Sequence, residues 1–451
     1  MILGMVAYVV GVVLVMAWPS LGFGLLFTIP AVKVIMKKAV PGLLTSYTYD
    51  MAVVLLVIVG ALFYGVRRRR GAPLPIPRLI AAAWLLIILL LWIRLPGSHS
   101  IGYGYKKALI FSIFNTLAVA TIPLYLLGPW EARKMLRILL IAGVATSVAM
   151  PLYGTGTGEW EGARVSLAGG SPLAVADLSS FGIIVLISAF IGRPSARRLA
   201  LVVAAVPVCA LAIWLSGTRG PVIAIPPLVL AVLWFYRREI NFRAAVAALV
   251  GLSVVGGITA RILDPTMLHR FTLQSFEKGF QIRINLSKTA LAGFWRRPLF
   301  GNGTGDWAYQ FSGNPDYEGW PHNHMFEIAN ELGVLGLAAW LTLVGYALRA
   351  GWSLSRREWD GSEAKSVGVP VYMGFLYGLI FSFKTGSYTA SYMTYFFLIA
   401  TIVLYQLRLR DKAAWQVSFW QHLTRQQQQQ TRQPEAGPVA LTGQYGPPPR
   451  R

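Results

Sequence analysis

The stretch R-I-N-L-S-K-T-A-L-A-G-F-W-R-R-P-L-F-G-N-G-T-G-D-W, Arg283 to Trp307, with P-H-N-H-M-F-E-I-A-N-E-L-G-V-L-G-L, Pro321 to Leu337, decides how the chain reads. Ile282, Leu286, Ala290 and Phe294 recur every fourth residue, which predicts a helix with one apolar stripe and a face carrying Arg283 and Lys288. Pro298 and the glycines of Gly301-Asn302-Gly303-Thr304-Gly305 end that helix. A glycine cluster also lets backbone N–H groups approach an anion closely. After Trp320-Pro321 a second helix is expected, with His322 in its first turn, running past Glu331 into an apolar span from Leu332 to Leu348. A histidine and several cations thus meet flexible backbone at a membrane surface, an arrangement suited to a lipid-linked phosphate.

The composition around this stretch is that of a membrane protein. Of 451 residues, 55% are hydrophobic, and the mean hydropathy is +0.55. Many apolar runs reach the roughly 17–20 residues that a helix needs to cross a bilayer. The net charge of +23 would suggest nucleic acid in a soluble protein. Here the cations fall in short clusters between apolar runs, so anionic lipid is the expected partner and nucleic acid is not. Cys209 is the single cysteine, so the chain forms no internal disulfide. Met1 to Trp18 lacks a charged start and a small-residue cleavage site, and reads as a retained span.

Spans are expected at Ile2–Trp18, Met51–Val66, Leu79–Leu95, Leu109–Leu127, Leu136–Tyr153, Leu173–Ile191, Leu199–Leu215, Pro221–Tyr236, Ala244–Ala260, Leu332–Leu348, Val369–Phe383 and Tyr392–Leu407. Leu21–Val34 is short and broken by Pro30, which makes the count twelve, or thirteen if it crosses. The expected fold is an all-α polytopic membrane protein of about 12 transmembrane helices with a large periplasmic loop holding amphipathic helices. It divides into helices over 1–260, the loop over 261–331, helices over 332–412 and a disordered tail over 413–451. The cation clusters Arg67–Arg70, Arg133–Arg137, Arg193–Arg198, Arg237–Arg243, Arg349–Arg357 and Arg408–Lys412 fall on alternate loops, expected in the cytoplasm. The loop Arg261–Pro321 lies on the opposite side, yet it is rich in cations, an exception that points to an anionic ligand. The glutamine run from Gln426 and the Pro- and Gly-rich sequence after it belong to the tail.

Two other motifs lead nowhere. P-H-N-H with Asp316 and Glu318 nearby would suggest a metal, but i, i+2 spacing is poor on a helix, where ligand pairs sit at i, i+4. G-N-G-T-G-D resembles a dinucleotide loop but follows a helix instead of a strand.

The pattern R-x(12)-R-R-P-L-F-G-x-G-x-G from Arg283, followed by H-N-x-x-F-x-x-x-x-E-x-G-x-x-G-L from His322, resembles the O-antigen ligase and O-antigen polymerase superfamily. The likeness covers about the middle and C-terminal two-thirds of the chain. It implies a metal-independent, cofactor-free glycosyltransferase of the bacterial inner membrane, active at the periplasmic face in lipopolysaccharide biosynthesis. Its donor would be an undecaprenyl-diphosphate-linked glycan. Its acceptor would be lipid A core for a ligase, or another lipid-linked glycan for a polymerase. The family histidine falls on His322, a side chain able to take a proton from a sugar hydroxyl near neutral pH. Asn323, Glu331, Gly333, Gly301 and Gly303 fall on supporting motif positions, Glu331 too far along the helix to orient the imidazole. Arg219 in L-S-G-T-R-G-P matches an S-G-[ST]-R-G pattern, and its guanidinium suits phosphate. Arg283 matches the arginine upstream of P-L-F-G-x-G. Arg164 stands where the family often has an arginine before a G-x-P-N-like turn, although Ser171-Pro172-Leu173 lacks the Asn. The three arginines are the expected diphosphate ligands. No R-x(10)-G pattern starts at Arg164 or Arg283, which leans toward ligase. A lipid or polysaccharide transporter is the remaining alternative. It would place ionisable residues mid-membrane, whereas here they are expected at the outer interface.

Overall fold

The computed structural model describes residues 13–15, 17–28, 46–69, 73–157, 164–167, 171–238, 272–356, 362–384 and 386–410. The spans expected at Ile2–Trp18 and Ala244–Ala260 and the tail beyond residue 410 lie wholly or mostly outside these residues. Residues 1–406 form one compact unit, and 407–451 a second.

The architecture is helical. Among the described residues, seven helices are long and apolar enough to cross a membrane: α4 (Ile101–Tyr125), α5 (Pro129–Tyr153), α6 (Pro172–Gly192), α7 (Ala196–Leu215), α8 (Arg219–Tyr236), α11 (His324–Ser355) and α13 (Tyr392–Arg410). Shorter apolar helices are α1 (Pro19–Thr28) and α3 (Arg78–Ile93). Further α-helices among the described residues are α2 (Ser46–Arg69), α9 (Leu273–Arg296), α10 (Asp306–Ser312) and α12 (Ser362–Ser382). One small departure from an all-helical chain is the antiparallel pair β1 (Gly154–Thr157) and β2 (Arg164–Leu167), in which Thr157 is opposite Arg164.

Helix α6 is the hub, packed by α5, α7, α8 and α12. Lipid chains are as apolar as leucine, so close packing and polar contacts hold such helices together. A Cβ added to Gly143 would lie 2.7 Å from the Leu178 carbonyl, so that glycine lets α5 and α6 touch. Ser147 and Ser179 share a hydrogen bond of 2.7 Å across the same seam. A second core is aromatic: Phe27 meets Phe396 edge-on at 4.7 Å, and Trp84 meets Tyr395 at 5.2 Å.

Helix α4 contains a π segment, Ile110–Asn115, whose hydrogen bonds run one residue further than in an α-helix. Buried Lys107, Phe111 and Asn115 flank or occupy it at four-residue spacing. All three meet residues 386–395 or the helix beside them. Asn115 donates to the Thr389 carbonyl at 2.8 Å, and Phe111 packs on Tyr395.

Helix α9 ends at Arg296, as the sequence predicts, and buries Leu286 and Ala290. Ile282, expected on the same stripe, is 54% exposed. Four residues advance a helix by more than one 3.6-residue turn, so a period-four stripe drifts off a straight contact line.

Candidate functional site

Helix α11 does not begin at His322. It begins at His324, capped by Asn323, whose side chain accepts from the Phe326 N–H at 3.2 Å. His322 precedes the cap, with φ 57°, the only positive φ outside glycine among the described residues. Left-handed backbone is costly for a side-chain-bearing residue and tends to be held by its surroundings. The Trp320 indole N–H donates to His322 Nδ1 at 3.1 Å. With Nδ1 accepting, the neutral ring carries its hydrogen on Nε2. Burial, with Arg283 adding to it, pushes the imidazole down to about 4, so the ring is neutral at pH 7.

Asn323 lines a cavity of about 780 Å³ formed by α8, α9, α12 and the start of α11. Arg219, at the first turn of α8, and Arg283, on α9, both reach it, although they are 64 residues apart by number. Small residues make room: Gly217 and Gly220 flank Thr218 and Arg219, and Ser216 shares a hydrogen bond with Thr218. Arg219 donates to the Ser275 carbonyl at 2.6 Å and to the Ser275 hydroxyl. Arg283 donates to the carbonyls of Lys384 at 3.1 Å and Gly279 at 3.2 Å. Burial and then the neighbouring Arg219 charge lower the Arg283 pKa. Lys288 and Lys384 complete the cationic lining. Among the described residues no carboxylate lines this cavity. Its other walls are apolar, including Leu173, Ile223, Phe280, Phe381 and Phe383. It can therefore hold an anionic head with a hydrocarbon or lipid neighbour.

The other expected site residues are placed differently. Arg164 is in β2, and the structure describes its backbone only. Gly301, Gly303 and Gly305 have positive φ, as a tight turn requires, but the expected anion cradle does not form. The N–H groups of Gly301, Asn302, Gly303 and Thr304 donate to carbonyls of Arg297, Asn330, Glu331 and Arg94. A Cβ on Gly301 would come within 2.3 Å of the Glu331 backbone, and one on Gly303 within 2.9 Å of Ser98. This loop is packing, not a phosphate nest. It also repairs α11, which breaks at Gly333 (φ 68°, ψ −163°). The Val334 N–H, freed by the break, donates to the Pro298 carbonyl at 2.7 Å. Inside a bilayer such backbone groups must find protein partners.

Glu331 has a role invisible to its spacing from His322. Lys107 of α4 donates to Glu327 at 2.6 Å and to both Glu331 oxygens at 2.6 and 2.7 Å. Tyr388 O–H reaches Glu331 at 3.0 Å, while Ser387 O–H and Tyr388 N–H reach Glu327 at 2.7 and 3.1 Å. All three charged side chains are buried. Lys107 is the seventh residue of α4, and Glu327 and Glu331 are the fourth and eighth of α11, so all three lie toward the starts of helices long enough to span the membrane. His324 is buried, and its Nε2 is 2.9 Å from Ser391 Oγ. Around the P-H-N-H motif, His322 meets Trp320, His324 meets Ser391, and Glu318 pairs with Lys106 at 2.5 Å. Among the described residues no three His, Cys, Asp or Glu side chains gather as a metal-binding group.

Residues 200–341 match the family model described as O-Antigen ligase, a segment that includes Arg219, Arg283, His322 and Glu331. The match places that segment, and the sequence resemblance with it, in the O-antigen ligase/polymerase superfamily. The family implies a membrane glycosyltransferase-type enzyme acting on lipid-linked polysaccharide. No curated protein matches the chain.

Proposed function

We propose that the protein transfers a glycan from undecaprenyl diphosphate to a hydroxyl of lipid A core at the periplasmic face of the inner membrane. It is thus an O-antigen ligase; transfer to a second lipid-linked glycan would make it a polymerase. The observation that supports this is the cavity in which Arg219 and Arg283 converge on an apolar-walled space that no carboxylate lines among the described residues, with the His322 segment at its edge. Guanidinium groups hold diphosphate oxygens and stabilise the charge that develops as the diphosphate leaves. The exposed apolar residues Phe280, Trp295 and Leu299 on and after α9 suit contact with lipid.

In the reaction the acceptor oxygen attacks the anomeric carbon, and the bond from that carbon to the diphosphate oxygen breaks. The hydroxyl proton passes to His322, and undecaprenyl diphosphate departs with the bonding electrons. His322 takes the proton at Nδ1, the nitrogen that faces Trp320 at rest, so the acceptor hydroxyl displaces the indole N–H. A diphosphate beside Arg283 offsets the positive field that lowers the His322 pKa, so basicity rises when donor is bound. No metal enters this scheme.

Purified protein in lipid, supplied with lipid-linked glycan and each acceptor in turn, tests the reading. Glycan on lipid A core is the ligase outcome, and lengthened lipid-linked glycan the polymerase outcome. Transfer to neither acceptor, with donor intact, rejects both.

A further inference from the structure

The cavity holds one more cation in an unusual setting. Lys384 follows α12, and its main-chain oxygen accepts from Arg283 Nε at 3.1 Å. Lys384 lines the cavity, yet its Nζ is buried and has no hydrogen-bond partner among the described residues. A buried ammonium without an acceptor is costly, and protein interiors rarely leave one so. The segment after it is not loose: Ser387 and Tyr388 are tied to Glu327. The lysine is therefore held against two arginines by bonds elsewhere in the chain. Such an arrangement makes sense when a ligand supplies the missing acceptors.

We propose that Lys384 is a third ligand of the donor diphosphate, and that it takes up its proton as the diphosphate binds. The inference rests on the donor reading above and adds to it a residue and a coupling. Charged and titratable groups that face this site are Arg219 on α8 and Arg283 and Lys288 on α9, all cationic. Burial first, then Arg283 and Arg219, push the Lys384 ammonium down to about 8. Lysine shifts in this way readily, whereas arginine stays charged. Near pH 8 the empty site relieves its repulsion by leaving Lys384 partly neutral. A diphosphate reverses the sign of the local field and restores the proton. Affinity is flat below the free-state value and falls as pH rises above it.

Calorimetry of farnesyl diphosphate binding to the full chain in lipid nanodiscs at pH 8, in buffers of different ionisation enthalpy, tests this. The wild type should take up about half a proton more than Lys384→Arg, since a group near its pKa is half protonated. Comparison between the two removes any contribution of the ligand's own ionisation. Lys384→Arg should keep affinity within a few-fold, and Lys384→Met should lose roughly ten- to a hundredfold. Equal proton uptake in wild type and Lys384→Arg overturns the coupling, and wild-type affinity in Lys384→Met overturns the contact. A wild type that ignores farnesyl diphosphate, while folded, removes the donor reading and this inference together.

Discussion

Two groups of buried charge sit on either side of the start of α11, and they are arranged in opposite ways. Lys107 is gripped by Glu327 and Glu331, and Tyr388 and Ser387 supply further hydrogen bonds. Arg283 and Lys384 face a cavity that no carboxylate lines among the described residues, and the bonds Arg283 makes there go to neutral carbonyls. The first group answers its own charge and fastens α4 to α11 and to the segment after α12. The second leaves charge for something that is not protein. Removal of a charge should therefore cost stability in the first group and ligand binding in the second.

The largest effect should come from the first group. Lys107→Met leaves two carboxylates together in a buried space, and breaking a buried pair costs about 3–5 kcal/mol. Thermal unfolding in detergent should show a large loss, and an unchanged midpoint would undo the contrast between the two groups.

The next test concerns His322. His322→Ala should slow transfer by about 10²–10⁴-fold with little change in folding. His324→Ala should instead cost stability, because His324 is buried and bonded to Ser391. Trp320→Phe separates two roles for the ring. It frees Nδ1, so a base there should work at least as well, whereas a ring that acts through its Nε2–H gains nothing. A marked loss of rate in Trp320→Phe, with donor binding intact, counts against the base.

Arg283→Ala should weaken farnesyl diphosphate binding by roughly ten- to a hundredfold, the worth of a charge-assisted contact. It should move the unfolding midpoint little, since it also relieves repulsion with Arg219. The smallest effect is on pH dependence. His322 works as its neutral form, so the rate falls as pH drops through its pKa. In kcat/KM, which reports the free enzyme, that limb should lie near 4, well below an ordinary histidine. In kcat, with donor bound, it should move upward. An acid limb near 6.5 in both would show that neither burial nor Arg283 acts on the ring.

Much of this was legible in sequence because it is local. The end of α9 at Arg296 follows from Pro298 and the glycines after it. Most of the spans that fall on described residues coincide with helices, because apolar runs of that length have few other forms. The convergence of Arg219 and Arg283 was reached only through motif resemblance, since nothing in either neighbourhood reveals the other. What escaped is nonlocal or depends on where bonds go. Lys107 meets Glu331 across 224 residues, and Arg283 meets Lys384 across 101. The glycine run has the backbone freedom of an anion nest, but its N–H groups are committed to Arg297, Asn330, Glu331 and Arg94. His322 lies one residue short of the cap because Asn323 takes that position, a choice that P-H-N-H leaves open between its polar residues.

The π segment of α4 bears on what length changes the chain can absorb. One residue removed between Ile110 and Asn115 would let the helix close into ordinary turns, an apparent gain in regularity. Yet each residue of an α-helix turns the chain by about 100°. The deletion would swing Lys107 around relative to Asn115, so one could keep its partner only if the other gave its partner up. The irregular turn is thus a spacer that phases two anchors on one rod, and a tidier helix at this point would be a misaligned one.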